Sequence, residues 1–120
     1  MRVLVVDDKA DNAESLCLLL RLWGYEAVCA GSGPEALSLA QQFRPEAAIV
    51  EMLLPGLGGD EVGRRLRAMP GLRRGPLIAL SGCASTRRQA LEAGFDLFLL
   101  KPAEPDDIRE ALGSHGLAVA

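Results

Sequence analysis

Five side chains with acid, hydroxyl or ammonium groups stand at the ends of apolar stretches of the sequence. Each follows a short run of branched or small apolar residues, and in chain order they are Asp7, Asp8, Glu51, Ser81 and Lys101. A charged residue at the end of a buried segment is rare unless it is paired or binds a ligand. Carboxylates brought together repel one another without a cation between them, and Mg²⁺ prefers such oxygen ligands. A hydroxyl and an ammonium opposite the metal suit the binding of a phosphoryl group.

The elements that must position these groups alternate along the chain as strand and helix. Apolar runs without polar alternation, closed by glycine or proline, are typical of strands buried on both faces of a sheet. Such runs predict strands over residues 3–6, 27–30, 47–51, 77–80 and 97–100. Apolar residues at helical spacing predict a first helix from a cap at Asp11 or Asn12 to Gly24, and a second opened by Pro34 and ending near residue 42. The remaining helices are predicted over residues 60–68, 86–93 and 104–112.

Five strands that alternate strictly with five helices predict an α/β fold. The expected architecture is a doubly wound, five-stranded parallel sheet with right-handed crossovers and helices on both faces. All the carboxyl ends of such strands lie at one edge, where open α/β sheets bind their ligands. We therefore expect the five chemical groups to converge on one site.

Length, charge and cysteine content narrow the class of protein. The 120 residues, numbered 1–120, suit a single domain with one well-formed core. A net charge of −3 argues against nucleic acid as a partner of this domain. No apolar run approaches the ~20 residues of a membrane span, and no signal peptide is recognised, which predicts no membrane partner and a cytoplasmic location. Cys17, Cys29 and Cys83 lack metal-site spacing, and the first two are predicted as core residues in a reducing compartment.

Taken together, the motifs resemble the receiver domain of two-component response regulators, over essentially all residues to about 112. The matching segments are Val-Val-Asp7-Asp8, Glu51-Met-Leu-Leu-Pro55-Gly-Leu-Gly-Gly59, Leu-Ser81-Gly and Lys101-Pro102, in the family's order and spacing. The resemblance implies a CheY-like fold with strand order 2-1-3-4-5. It also implies a signalling module rather than an enzyme.

The resemblance assigns roles to particular residues. Mg²⁺ would be held by Asp7, Asp8, the side chain at position 51 and the backbone carbonyl of Met52, while Ser81 and Lys101 would bind the phosphoryl group. The Lys101–Pro102 peptide bond would be cis. Ser81 and Phe98 would form the switch that moves on activation, and Leu53 and Cys83 would occupy the positions that tune the lifetime of the phosphoryl group.

The chain departs from the family at the phosphoacceptor position, where Glu51 replaces the family's aspartate. The extra methylene displaces the carboxylate by roughly 1.5 Å, one carbon–carbon bond. A displacement near 1 Å can cost in-line transfer about 100-fold. We hypothesise that Glu51 is not phosphorylated and bonds Lys101 directly, giving a receiver whose state is fixed or partly imitates the phosphorylated form. Binding of Mg²⁺ would then be weakened or lost.

The resemblance also implies partners and leaves a second function open. A histidine kinase, a phosphotransfer protein or an output domain would dock here, with the fourth helix, fifth strand and fifth helix as the output surface. A homodimer is possible, although the fourth helix is about two residues shorter than in some receivers. The alternative is a pseudo-receiver that acts only as an interaction or dimerisation module, which Mg²⁺ binding would distinguish. A flavodoxin or a haloacid-dehalogenase-type phosphatase is disfavoured, because Asp7-Asp8-Lys9 supplies neither motif.

Simpler interpretations remain for several of these residues. Asp7 and Asp8 could be a solvated pair or a helix cap, and Phe98 could be a core residue. Leu53 and Cys83 could simply fill space. A solvated surface also explains the basic patch, with a partner contact as the lesser alternative; its members are Arg64, Arg65, Arg67, Arg73 and Arg74. His115 is predicted to have no role, in a frayed tail from Gly113 onward.

Overall fold

A computed structural model describes residues 1–113 and contains alternating strands and helices. The strands are β1 (Arg2–Val6), β2 (Glu26–Ala30), β3 (Ala47–Glu51), β4 (Leu77–Ser81) and β5 (Leu97–Leu100). The α-helices are α1 (Ala10–Leu22), α2 (Gly33–Phe43), α3 (Gly59–Arg67), α4 (Arg87–Glu92) and α5 (Pro105–Gly113). Single 3₁₀ turns, Pro70–Leu72 and Ala84–Thr86, precede β4 and α4. The tail predicted from Gly113 starts one residue too early, because Gly113 belongs to α5, and the rest of that tail with His115 lies outside the described residues.

The five strands form one parallel sheet in the order β2-β1-β3-β4-β5, so the predicted fold is confirmed. Every residue of β3 and β4 is buried, as expected for central strands covered on both faces. Successive side chains of a strand point to opposite faces, so the sheet separates two cores. Leu4 and Val6 face the core covered by α2, α3 and α4, whereas Val3 and Val5 face the one covered by α1 and α5.

The first helix starts earlier than its sequence suggests. Its N-cap is Lys9, which makes no side-chain cap bond, so the predicted cap at Asp11 or Asn12 is wrong. The backbone N–H of Lys9 donates to the carboxylate of Asp7 at 2.9 Å, which turns the chain into the helix directly after the strand. In α2 the hydroxyl of Ser32 does cap the helix, accepting from the N–H of Glu35.

Arg67 is the second correction, because the sequence analysis predicts it as part of a solvated basic patch. Its guanidinium donates to the carbonyl oxygens of Gly75 at 2.9 Å and Gly94 at 2.8 Å, and to the Asp96 carboxylate at 2.6 Å. The residue lies one helical turn beyond the buried Gly63, at the border of the apolar face. It therefore reaches backbone groups that would otherwise lack partners.

The predicted positions of the two early cysteines are largely confirmed. Cys17 is buried in α1, and Cys29 is half-buried in β2 against the same core. Burial raises the pKa of the Cys17 thiol to about 12, which keeps it protonated and unreactive. Between residues 1 and 113, no helix has the length and apolar character needed to cross a membrane.

Candidate functional site

The carboxyl ends of four strands bring the predicted groups to one edge of the sheet. In the parallel register Val6 pairs with Val50, Glu51 with Leu80 and Ser81 with Leu100, so the strands end nearly level. Asp7 and Lys101 are the first residues after β1 and β5. Side chains far apart in sequence are thus neighbours in space, as the strand order predicts.

Lys101 connects two buried carboxylates. Its ammonium donates to Oε1 of Glu51 at 2.6 Å and to Oδ2 of Asp7 at 3.3 Å. Glu51 is 8% exposed and Asp7 is 6% exposed, so both charges need a partner. The direct bond expected between Glu51 and Lys101 is present and is the shorter of the two.

The ammonium is held in its charged form by this pair of acids. Partial burial by itself lowers the pKa of Lys101, but the hydrogen bond and charge of Glu51, with a further contribution from Asp7, outweigh burial. The pKa of Lys101 is therefore raised above its usual value of 10.5. The remaining carboxylate oxygens accept from backbone N–H groups: Oδ1 of Asp7 from Lys9, and Oε2 of Glu51 from Leu53 at 3.3 Å.

Ser81 lies beside this cluster without joining it. The side chain is fully buried, and its hydroxyl accepts from the N–H of Cys83 at 3.1 Å and donates to the carbonyl of Cys83 at 3.3 Å. Its backbone is tied to the site, because the N–H of Lys101 donates to the Ser81 carbonyl at 2.8 Å. Both hydrogen bonds that the structure of residues 1–113 gives this hydroxyl are to the backbone of Cys83. Neither Glu51 nor Lys101 forms a hydrogen bond with it.

The other predicted metal ligands are not assembled in this arrangement. Asp8 is exposed and makes no hydrogen bond or ion pair with any described residue. The carbonyl of Met52 accepts from the N–H of Gly59 at 3.2 Å. Over residues 1–113, no three acid, cysteine or histidine side chains lie close enough to hold a metal ion. The residues as placed do not fit Mg²⁺, because the ammonium of Lys101 already compensates the two buried acids.

The predicted switch and tuning positions lie around the site. Phe98 is half-buried against the core, with the guanidinium of Arg87 5.9 Å from its ring centroid. Leu53 is 56% exposed. A hydrogen bond from Ser85 lowers the pKa of the half-buried Cys83 thiol. The Lys101–Pro102 peptide bond is cis, as expected.

A cleft of about 540 Å³ opens next to the acid cluster, between α1 and the start of α5. Asp7 and Lys101 form its polar end, and Leu16, Leu19 and Ile108 line its apolar wall. Sequence reasoning missed this cleft, since it placed these apolar residues only in helical cores. It also missed Lys9 and Arg87, whose contacts with Asp7 and Phe98 have no sequence signal beyond their proximity to predicted site residues.

Comparison with protein families gives one match that covers most of the chain. The model described as "Response regulator receiver domain" matches residues 3–113. The DNA-binding response regulator MtrA of Mycobacterium tuberculosis is 36% identical over 109 residues, which is 89% of this chain and 46% of that protein. The transcriptional regulatory protein PrrA of the same organism is 44% identical over 103 residues, 84% of this chain and 43% of that protein. The chain therefore spans just under half the length of these curated relatives.

Solved structures agree with the sequence matches. The chemotaxis protein CheY4 of Vibrio cholerae superposes with a TM-score of 0.85 at 26% identity, covering 94% of this chain and 96% of that one. The receiver domain of a sensor histidine kinase from Pseudomonas aeruginosa superposes with a TM-score of 0.84 at 29% identity, covering 97% and 98%. That second structure has a magnesium ion coordinated in its active-site cleft.

Proposed function

Because this chain belongs to the family of response regulator receiver domains, we propose that it is a phosphorelay receiver whose acceptor aspartate is replaced by Glu51, which is not phosphorylated. The observation that carries this proposal is the 2.6 Å bond between Glu51 and Lys101. The ammonium that would receive a phosphoryl oxygen is already engaged by the longer carboxylate. Its other partner, Asp7, is one of the acids that would hold the metal.

The contacts favour a fixed receiver over one that imitates the phosphorylated form. Imitation requires Glu51 to draw the Ser81 hydroxyl toward itself as a phosphoryl group would. In this structure that hydroxyl bonds the backbone of Cys83 instead. Glu51 also lacks the charge and third oxygen of a phosphoryl group. We therefore assign Ser81 and Phe98 to a switch held in one position, with Leu53 and Cys83 flanking an unused acceptor.

The Glu51–Lys101 pair also affects the expected affinity for Mg²⁺. Mg²⁺ would have to displace the ammonium from Asp7 and Glu51 and also recruit the exposed Asp8 and the Met52 carbonyl. Displacing a charge-assisted bond between partly buried groups costs about 1.5–3 kcal/mol. Mg²⁺ affinity is accordingly weakened. A histidine kinase, phosphotransfer protein or output domain remains the proposed class of partner, since receivers act by docking to such proteins.

Intact mass spectrometry tests the central claim. The protein is incubated with acetyl phosphate and Mg²⁺, and we expect no phosphate adduct on the wild type. Glu51→Asp shortens the side chain by one methylene and frees Lys101, so this variant should gain an adduct. Glu51→Gln is the matched control, because it keeps the length but cannot form an acyl phosphate. An adduct on Glu51 of the wild-type protein would overturn the proposal.

One observation favours a second candidate function, that of a pseudo-receiver acting only as an interaction or dimerisation module. Leu91 on α4 and Leu100 on β5 are 49% and 50% exposed, on the elements that form the expected output surface. The two functions differ in whether the rest of the acid site can still bind Mg²⁺ and accept phosphate once position 51 is an aspartate. A Glu51→Asp variant that binds Mg²⁺ and takes up phosphate favours the receiver, whereas one that does neither favours the interaction module.

A further inference from the structure

We propose that four arginines at the opposite edge of the sheet form a docking surface for a carboxylate-rich segment of a partner protein. We call this surface the basic rim; its members are Arg2, Arg44, Arg73 and Arg74. It lies where the strands begin, away from the acid site, and the inference does not depend on the chemistry of Glu51. The basic rim would be a second interaction surface of the domain, separate from the acid site.

Backbone contacts bring the four arginines together although they come from three separate segments. The side chain of Arg2 donates through Nε to the carbonyl of Arg44 at 3.0 Å. The turn that leads into Arg73 and Arg74 packs against the same segment. A Cβ added to Gly71 in that turn would lie only 2.6 Å from the carbonyl oxygen of Pro45. Both Arg2 and the arginine loop therefore contact the segment of Arg44.

The loop that carries Arg73 and Arg74 is held rigid from inside by Arg67. The Arg67 guanidinium donates to the carbonyls of Leu72 at 2.7 Å and Gly75 at 2.9 Å, on either side of the two arginines. These loop carbonyl groups are therefore satisfied by a side chain from outside the loop. Arg73 and Arg74 are exposed, and their position is set before any partner arrives.

Within residues 1–113 the rim arginines form no ion pair with an acid, unlike four of the seven other arginines of the chain. Ion pairs to carboxylates are formed by Arg64, Arg65, Arg67 and Arg88. Among residues 1–113, no carboxylate lies within ion-pair distance of a rim arginine. The nearby acid, Glu46, accepts from the backbone N–H of Arg2 at 3.0 Å rather than from a guanidinium. The rim thus presents four positive charges that form no ion pair, with the carboxylate of Glu46 as a nearby negative charge.

Arg44 adds an independent observation, from its backbone conformation. It ends α2 with a φ of 54°, in the left-handed region that favours glycine at this position. A side chain in that conformation costs on the order of 1 kcal/mol relative to glycine. An exposed arginine kept at such a position indicates a use for its guanidinium outside the fold.

Charge distribution favours a short acidic protein segment over a nucleic acid. The formal net charge of −3 includes the four positive charges of the rim, which leaves −7 on the rest of the chain. A long polyanion such as duplex DNA would extend past the rim along a molecule whose remaining charge is negative. A segment of a few aspartates and glutamates would contact the rim alone, where guanidinium groups can bind carboxylates in a bidentate manner.

Fluorescence anisotropy with a labelled octaglutamate peptide tests the surface. We expect the wild-type protein to bind this peptide at low salt and to release it as ionic strength shortens the screening length. The Arg73→Ser/Arg74→Ser double variant should bind about tenfold more weakly, as expected for the loss of two exposed charge contacts. Arg44→Gly should also weaken binding while leaving the melting temperature unchanged or higher, because glycine relieves the left-handed conformation.

The matched control is Arg65→Ser/Arg88→Ser, which removes the same charge from exposed arginines elsewhere. Equal weakening by this control would attribute binding to net charge and overturn the proposal. So would an absence of peptide binding at low salt, tighter binding of a duplex DNA of equal charge, or rim-dependent self-association in sedimentation. None of these outcomes bears on the acetyl phosphate result, so the two proposals fail separately.

Discussion

At the scale of single residues, Lys101 holds the two buried carboxylates of the acid site. Glu51 reaches the ammonium of Lys101 at 2.6 Å, closer than Asp7 at 3.3 Å. Charge-assisted bonds of this kind are shorter and stronger than neutral ones. Lys101 serves both acids at once, so its charge is a condition for burying them.

The raised pKa of Lys101 predicts how this cluster responds to alkali. A folded-state pKa above the usual 10.5 means that the ammonium stabilises the fold fully below that pH and progressively less as pH rises through the raised value. At pH 8 we expect the free energy of unfolding of the wild-type protein to be about 1–2 kcal/mol higher than that of Lys101→Met. The difference should shrink above about pH 10.5.

Urea unfolding at pH 8, 9, 10 and 11 measures this difference. Lys9→Met is the control, since Lys9 is exposed and is the chain's other lysine. Burial also raises the pKa of Tyr25, so all variants lose some stability in alkali. Only the gap between wild type and Lys101→Met reports the cluster, and a gap that stays constant to pH 11 contradicts the prediction.

At the scale of elements, α3 packs closely against the loop after β3. Gly59 starts it, and a Cβ there would lie 2.6 Å from the Cα of Met52 in the loop after β3. Gly63, one turn later, faces the ring of Phe95 in the buried core. The absence of a side chain at Gly59 lets the helix approach the end of the strand that carries Glu51, and its absence at Gly63 leaves room for the ring of Phe95.

Gly63→Ala should therefore destabilise the protein. Alanine favours a helix by about 1 kcal/mol over glycine. Here, however, the added Cβ would lie 2.6 Å from Cζ of Phe95, and overpacking of a core costs about 1–3 kcal/mol. We expect a net loss in urea unfolding, with Gly82→Ala, which has open space around its Cβ, as a nearly neutral control. A stabilised Gly63→Ala variant would show that the ring of Phe95 can move aside.

At the scale of the whole molecule, Arg67 joins helix α3 to the segments that lead into two neighbouring strands. From α3 it bonds the loop before β4 and the turn before β5, including the Asp96 carboxylate at 2.6 Å. Asp96 in turn accepts from the N–H of Leu77 at 2.9 Å, at the start of β4. One planar guanidinium thus satisfies backbone groups at the edge opposite the acid site and holds the basic rim in place.

Arg67→Lys should lower the unfolding free energy by about 2–4 kcal/mol, because an ammonium cannot reproduce the planar fork and leaves carbonyl groups unpaired. Arg65→Lys keeps the same chemistry at an exposed site that pairs with Glu61, and should change stability by less than about 0.5 kcal/mol. Denaturant unfolding of the two variants gives the comparison. Equal stabilities would mean that water replaces the Arg67 contacts.

The fold and the convergence of the site could be predicted from the sequence because both follow from local patterns. Short apolar runs closed by glycine or proline mark buried strands, and alternation with helices leaves a parallel sheet as the expected arrangement. Parallel strands end at a common edge, so Asp7, Glu51 and Lys101 had to meet. The Glu51–Lys101 bond followed from the length of a glutamate side chain.

Tertiary structure alone decided which of several available partners each polar side chain takes. The Ser81 hydroxyl bonds the backbone of Cys83, and Asp8 is exposed to solvent. Arg67 bonds Gly94 and Asp96, which lie 27 and 29 residues away in the sequence. Sequence patterns report whether a position is buried, but a hydrogen bond depends on atoms brought within about 3 Å by remote segments. The basic rim became visible for the same reason, since its arginines are gathered by packing between loops.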